Sequence, residues 1–236
     1  GECPPMNLLT DTWLPAMRNG ARTRIRVCDI VDPAVTDLAF DRQDLEIGAM
    51  ELLVGILAMA CGPVDRDEWQ YWRQTAPSPD ELQTALDPYA PAFELLGDGP
   101  RFMQFPVPAK NIKDAAPISR LLLGAASENS EKKNLDLICH RQPNLTLSFA
   151  EAAVALYTHQ LRIQGVGSGH KSSARGGDHL TVFVDPRGAS TGPALWALIW
   201  ANVPLLPPAA DHSGGPLDPN HLDQALPWMR APSLLA

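Results

Sequence analysis

Residues Ala21 to Ile30 (ARTRIRVCDI) alternate apolar and polar positions, the period-2 pattern of a strand with one buried face. Asn19-Gly20 directly before them is a hairpin turn signal, which makes Trp13 to Met17 the partner strand. The pattern then changes. Asp44 to Cys61 (DLEIGAMELLVGILAMAC) is apolar over most of its length and ends at Gly62-Pro63, so it predicts a buried helix with a firm stop. Glu46, Glu51 and two glycines interrupt it, whereas a membrane span needs about 20 mostly apolar residues. It therefore reads as a helix of a soluble protein. Asp44, Glu46 and Glu51 could imitate a carboxylate site, but the expectation is a solvated helix face.

Two further helices announce their starts. In Ser78-Pro79-Asp80-Glu81 and in Ser148-Phe149-Ala150-Glu151 a serine stands three residues before a glutamate, the capping-box spacing. The second helix should run to about Arg162. His179 to Val184 (HLTVFV) reads as a strand ended by Asp185-Pro186. Pro193 to Asn202 (PALWALIWAN) reads as a helix carrying Trp196 and Trp200 on one face, as core packing. The 23 prolines cluster at Pro77 and Pro79, from Pro100 to Pro108 and from Pro204 to Pro232. Proline removes a backbone donor and blocks helix interiors, so an all-helical bundle is excluded. No internal repeat is visible. The expected fold is α+β: a mixed domain over residues 6–236 with few strands, several helices and long ordered loops, preceded by a leader- or tag-like extension over residues 1–5.

Composition narrows the function classes. With 45% hydrophobic and 19% charged residues, the 236-residue chain is too apolar for intrinsic disorder. Cys3, Cys28, Cys61 and Cys139 are far apart, and none has a partner at C-x-x-C spacing. Cys139-His140 would need two more ligands to hold zinc, so free thiols and no metal are expected. The formal charge of −8 argues at first against nucleic-acid binding. It is unevenly spread, however. Residues 1–100 carry 7 basic and 17 acidic side chains, and residues 101–190 carry 11 and 7. A local basic segment is what phosphate binding requires, whatever the net charge. A solvated face would look the same by charge alone.

Within that segment, Gly165 to Asp178 (GVGSGHKSSARGGD) sets glycines at 165, 167 and 169, then Lys171 and Arg175, then Gly176-Gly177. Without Cβ atoms the backbone can approach a ligand closely, and the two cations favour a polyanion or a base-pair edge. A P-loop or a dinucleotide fingerprint would need glycine where the chain has His170, and a P-loop opens a helix rather than following one. A glycine-rich surface loop without a ligand stays open as a reading of this segment.

Three blocks together resemble one family. Met6-Asn7-Leu8-Leu9-Thr10-Asp11-Thr12-Trp13-Leu14-Pro15 looks like the N-terminal signature of the large subunit, CasA, of type I-E Cascade, the CRISPR RNA-guided surveillance complex of bacteria. Pro100-Arg101-Phe102-Met103-Gln104 resembles its Pro-x-Phe-Met-Gln segment, and Gly165 to Gly177 with Val182-Phe183-Val184 its glycine loop. The likeness extends thinly to Trp228.

The resemblance implies a cytoplasmic, non-catalytic subunit without a cofactor. It implies partnership with CRISPR RNA, the other Cascade subunits, target double-stranded DNA and a helicase–nuclease, and with no membrane. The family's glycine loop reads the protospacer-adjacent motif (PAM) from the minor groove, which carries over to Gly165, Gly167, Ser168, Gly169, His170, Lys171 and Arg175. Its loop contacting the RNA and neighbouring subunits carries over to Ala126–Leu137, with Asn129, Lys132, Lys133 and Asn134 as contacts. That loop here lacks the aromatic residue many relatives have. The family's C-terminal four-helix bundle, lysine finger and strand-splitting wedge lie outside residues 1–236, which reads as an N-terminal piece. The alternative is an enzyme that binds a nucleotide phosphate at Gly165–Ser172, although no pairing of base and nucleophile supports one.

Overall fold

The structure, a computed structural model, describes residues 5–104, 117–126, 128–137, 141, 145–162, 181–189, 192–205 and 217–230; for Glu128, Arg162 and Ala189 it describes the backbone alone. The chain divides into two compact units, Gly1–Pro106 with Thr181–Ala236, and Val107–Leu180. In chain order the first unit begins with strands β1 (Met6–Asn7), β2 (Leu14–Arg18), β3 (Ala21–Ile25) and β4 (Val35–Leu38). Helices α1 (Gln43–Cys61), α2 (Arg66–Gln74) and α3 (Pro79–Leu86) and strand β5 (Glu94–Leu96) follow. The second unit holds α4 (Glu128–Lys132) and α5 (Phe149–Arg162), and the chain returns to the first with α6 (Ala194–Trp200) and α7 (Leu222–Ala225). The architecture is α+β, as expected, with its strands in two small antiparallel sheets ordered β1-β5 and β3-β2-β4.

The hairpin forms where the sequence placed it. β2 and β3 pair from Leu14↔Ile25 to Arg18↔Ala21, and Asn19 and Gly20 close the turn at φ of 51° and 75°. Positive φ at both turn positions matches the twist of the flanking strands. The strand expected to reach Ile30 stops at Ile25. Val27–Val31 winds into a 3₁₀ turn because the Asp29 carboxylate accepts the Arg26 backbone N–H at 2.9 Å and draws the chain back on itself.

The core of the first unit is built around α1 and α6. Leu45, Leu53, Ile56 and Leu57 of α1 are each at most 1% exposed, and every residue from Leu195 to Trp200 of α6 is buried. A helix apolar all round needs cover on every side; α6 finds it against β4, α1 and α2. Trp196 and Trp200 stack at 5.0 Å between ring centroids, as the core packing expected of them. Their indole N–H groups donate to the Trp72 and Trp69 carbonyls at 3.0 and 2.9 Å, and Trp69 returns a bond to the Val203 carbonyl at 3.1 Å. These bonds hold down α2, which buries no residue completely.

Two expectations for this unit fail. Thr181–Val184 of the anticipated strand at 179–184 is irregular, with Val182 and Val184 largely exposed. The Asn202 side chain takes the place of a neighbouring strand: its Oδ1 accepts the Val184 N–H at 2.8 Å and its Nδ2 donates to the Val184 carbonyl at 2.9 Å. The three α1 carboxylates are not a solvated face. Glu51 is 6% exposed and accepts the Thr181 hydroxyl at 2.7 Å. Asp44 is gripped by the Arg42 guanidinium at 2.8 and 3.0 Å, and burial pushes the Glu46 carboxyl above its ordinary value. Nor do they form a metal site: among the described residues no three His, Cys, Asp or Glu side chains gather closely enough to hold an ion. No single described helix is long and apolar enough to cross a membrane.

In the second unit, Ser148 and Glu151 form the expected capping box. The Ser148 N–H donates to Glu151 at 2.8 Å, and the Glu151 N–H to Ser148 Oγ at 3.3 Å. Ala150, Ala153, Val154, Ala155 and Thr158 give α5 its buried face, and a 3₁₀ turn at Ile118–Leu121 packs on the helix.

Candidate nucleic-acid interface

Of the expected contact residues, Asn129, Lys132, Lys133 and Asn134 lie in the described part of the second unit, and all four are exposed. They occupy α4 and the turn that ends it. The Lys133 N–H donates to the Asn129 carbonyl at 3.2 Å. The Leu135 N–H then reaches back to the Ser130 carbonyl at 2.8 Å and the Asn134 N–H to the Glu131 carbonyl at 3.2 Å, with Asn134 at φ 51°. This is a Schellman ending with asparagine, which tolerates the left-handed region, in the place glycine usually fills. It sets Lys132 and Lys133 side by side in a tight turn.

Side chains from elsewhere in the unit support this turn. The half-buried His159 ring of α5 hydrogen-bonds the Arg120 backbone, and partial burial lowers its pKa. Arg120 in turn reaches Glu131 of α4 at 3.4 Å. From the other side, Arg141 binds both oxygens of Asp136 at 2.5 and 2.7 Å, the Glu131 carbonyl at 2.9 Å and Asn134 Oδ1 at 3.1 Å. The Arg141 bonds hold the Asp136 carboxyl below the usual aspartate range. Asn134 is thus committed through its oxygen to the turn itself. Sequence reasoning missed Arg120 and Arg141, because neither stands at a helical or motif spacing from the residues it holds.

The glycine segment, with Gly165, Gly167, Ser168, Gly169, His170, Lys171 and Arg175, lies outside the described residues, as do Cys3, Cys139 and His140. Cys28 is a buried free thiol and Cys61 a half-buried one; desolvation pushes them up to about 11 and about 12.

The family profile of CRISPR-associated protein Cse1 matches residues 7–234, nearly the whole chain. The chain belongs to the Cse1 family. Thermobifida fusca Cse1 has a similar structure, with a TM-score of 0.60 and 26% identity over 86% of this chain and 40% of that one. Acidimicrobium ferrooxidans Cse1 shares the fold at a TM-score of 0.64 and 22% identity, over 98% of this chain and 43% of its own. A chain of a CRISPR RNA-guided surveillance complex, pre-nicking, shares it at 0.59 and 18%, over 92% and 47%. This chain therefore spans less than half the length of the Cse1 structures it resembles.

In this Cse1 chain, both resemblance blocks that the structure describes are scaffold. Asn7 receives the Leu9 N–H on Oδ1 at 2.9 Å and donates through Nδ2 to the Ala90 carbonyl at 2.8 Å and to Glu94 at 2.9 Å. Asp11 accepts the Asn7 N–H at 2.8 Å, and the Trp13 indole donates to the Leu8 carbonyl at 2.7 Å. In the second block Phe102 stacks on Phe93 at 5.3 Å and meets Trp228 edge-on at 5.6 Å. Gln104 donates to the Leu95 carbonyl at 2.8 Å. In both blocks the buried polar groups are paired and the large rings interlock, as a buried scaffold requires.

Proposed function

We propose that this chain is part of the large subunit of a type I-E Cascade complex and works by binding rather than by catalysis. The observation that carries the reading is the Cse1 match across residues 7–234, supported by the shared fold of a chain from an RNA-guided surveillance complex. In this reading the Lys132-Lys133 turn meets the guide RNA and neighbouring subunits. The glycine segment reads the PAM: Gly165, Gly167 and Gly169 admit the backbone to a narrow minor groove, while Lys171 and Arg175 neutralise phosphates. Recognition helps the duplex open, a near-balanced exchange of DNA pairs for guide–target pairs, and the complex then engages a helicase–nuclease.

The test uses the full-length subunit in the assembled complex, with binding and opening of duplexes that carry or lack a correct PAM. Lys171→Ala with Arg175→Ala should weaken duplex binding and flatten its salt dependence by about 0.9 per lost phosphate contact on B-DNA. A bulky side chain in place of Gly167 should blur discrimination between the two duplexes. Parent-like opening by both variants would remove the glycine segment as the reader. ATP hydrolysis lost with Lys171→Ala would favour a nucleotide-binding enzyme instead.

A further inference from the structure

α4 is five residues long. A helix this short does not persist in water without help, since nucleation costs more than one turn of hydrogen bonds returns. A lysine pair at its end would sample many directions, and binding a phosphate chain would have to order both the turn and the side chains. Something must hold the turn before RNA arrives, and Arg141 is placed to do so.

Arg141 makes four hydrogen bonds to three residues of this turn. It takes both oxygens of Asp136, the Glu131 carbonyl that also accepts the Asn134 N–H at the helix end, and the side-chain oxygen of Asn134, the left-handed residue. The Asp136 side chain is 7% exposed, so its charge is covered by the guanidinium and not by water. A planar fork satisfies this set; an ammonium, a point charge with three rotating donors, does not. Arg141 also pairs with the Asp136 carboxylate three residues after Lys133, while Arg120 takes the Glu131 carboxylate beside Lys132.

We propose that Arg141 is a positioning residue that holds the Lys132-Lys133 turn in its RNA-binding shape, its guanidinium locking Glu131, Asn134 and Asp136 together. The inference rests on reading this turn as the RNA contact.

The discriminating readout is the salt dependence of subunit docking. Full-length subunit is titrated onto the guide-RNA-containing complex that lacks it, at several salt concentrations. Lys132→Ala with Lys133→Ala should lower affinity and reduce the slope of log K against log salt by about 0.7 for each lost contact to single-stranded phosphate. Arg141→Ala should lower affinity about tenfold at an unchanged slope, because the same phosphates are neutralised once the turn has been ordered. Arg141→Lys, which keeps the charge but not the fork, should recover less than half of that loss. Amide exchange at Asn134 and Leu135 should quicken in Arg141→Ala while α5 stays protected. Should Arg141→Ala disturb α5 as well, Asp136→Asn replaces it, with about threefold weaker docking expected at the parent slope.

A slope that falls with Arg141→Ala makes Arg141 itself a phosphate contact and overturns positioning. Parent-like docking of Arg141→Ala, with the lysine variant impaired, overturns it while leaving the RNA-contact reading intact. Parent-like docking of the lysine variant overturns that reading and the inference with it.

Discussion

Asn7 shows how much a single side chain can carry. Its Oδ1 serves a buried backbone N–H and its Nδ2 ties the N-terminal turn to residues 83 and 87 positions away. Asn7→Ala would leave the Leu9 N–H and the Ala90 carbonyl without these partners, a loss of about 2–3 kcal/mol. Urea unfolding should show the midpoint falling at a constant m-value; a loss below about 0.5 kcal/mol would mean that other groups take over. The two described thiols give a second expectation. With pKa values raised to about 11 for Cys28 and about 12 for Cys61, both stay protonated at pH 8 in the folded protein. Peptide-resolved alkylation should therefore be slow until denaturant returns them toward the ordinary thiol value near 8.5. Fast labelling of native Cys61 would contradict the burial.

Among the elements, α6 was legible from its apolar run, but what it holds was not. Trp200 contributes both a stacked ring and a donor to the Trp69 carbonyl. Trp200→Phe keeps an aromatic ring and loses the donor, so it should cost about 1–2 kcal/mol, against about 3–5 for Trp200→Ala. Thermal unfolding compares them, and a parent-like Trp200→Phe would mean that the bond to α2 contributes nothing. The α4 turn has a pH signature. The folded Asp136 carboxyl titrates lower than in the unfolded chain. Its stabilisation is therefore present above the ordinary aspartate value near 4 and is lost as pH falls through the lower folded value. Protection factors at Asn134 and Leu135 should hold from pH 7 to about 5 and collapse only in stronger acid. Loss of protection around pH 6 would point to a histidine instead.

For the molecule as a whole, charge is spread unevenly along the chain. The acidic excess belongs to residues 1–100, which form the scaffold with its internal pairs Arg18–Asp32, Arg22–Asp41 and Arg42–Asp44. The basic excess follows in residues 101–190, which contain both the Lys132-Lys133 turn and the glycine segment. Net charge alone would have hidden this. The salt dependences set out above test it directly, since exposed pairs within the scaffold contribute little to long-range attraction.

Local signals settled local things. Asn19-Gly20 determined the hairpin, the two serine–glutamate pairs determined where α3 and α5 begin, and the apolar runs determined α1 and α6, because caps, turns and periodicity act over a few residues. What tertiary structure decided was every choice that depended on a distant partner. β1 pairs with β5 across nearly ninety residues. Val184 pairs with the Asn202 amide instead of a strand. Glu51, which the helix pattern assigned to solvent, is buried against Thr181. The Lys132-Lys133 turn could be named from sequence, but Arg141, the residue that shapes it, could not. A guanidinium reaches its partners through space, and spacing along the chain carries no record of that contact.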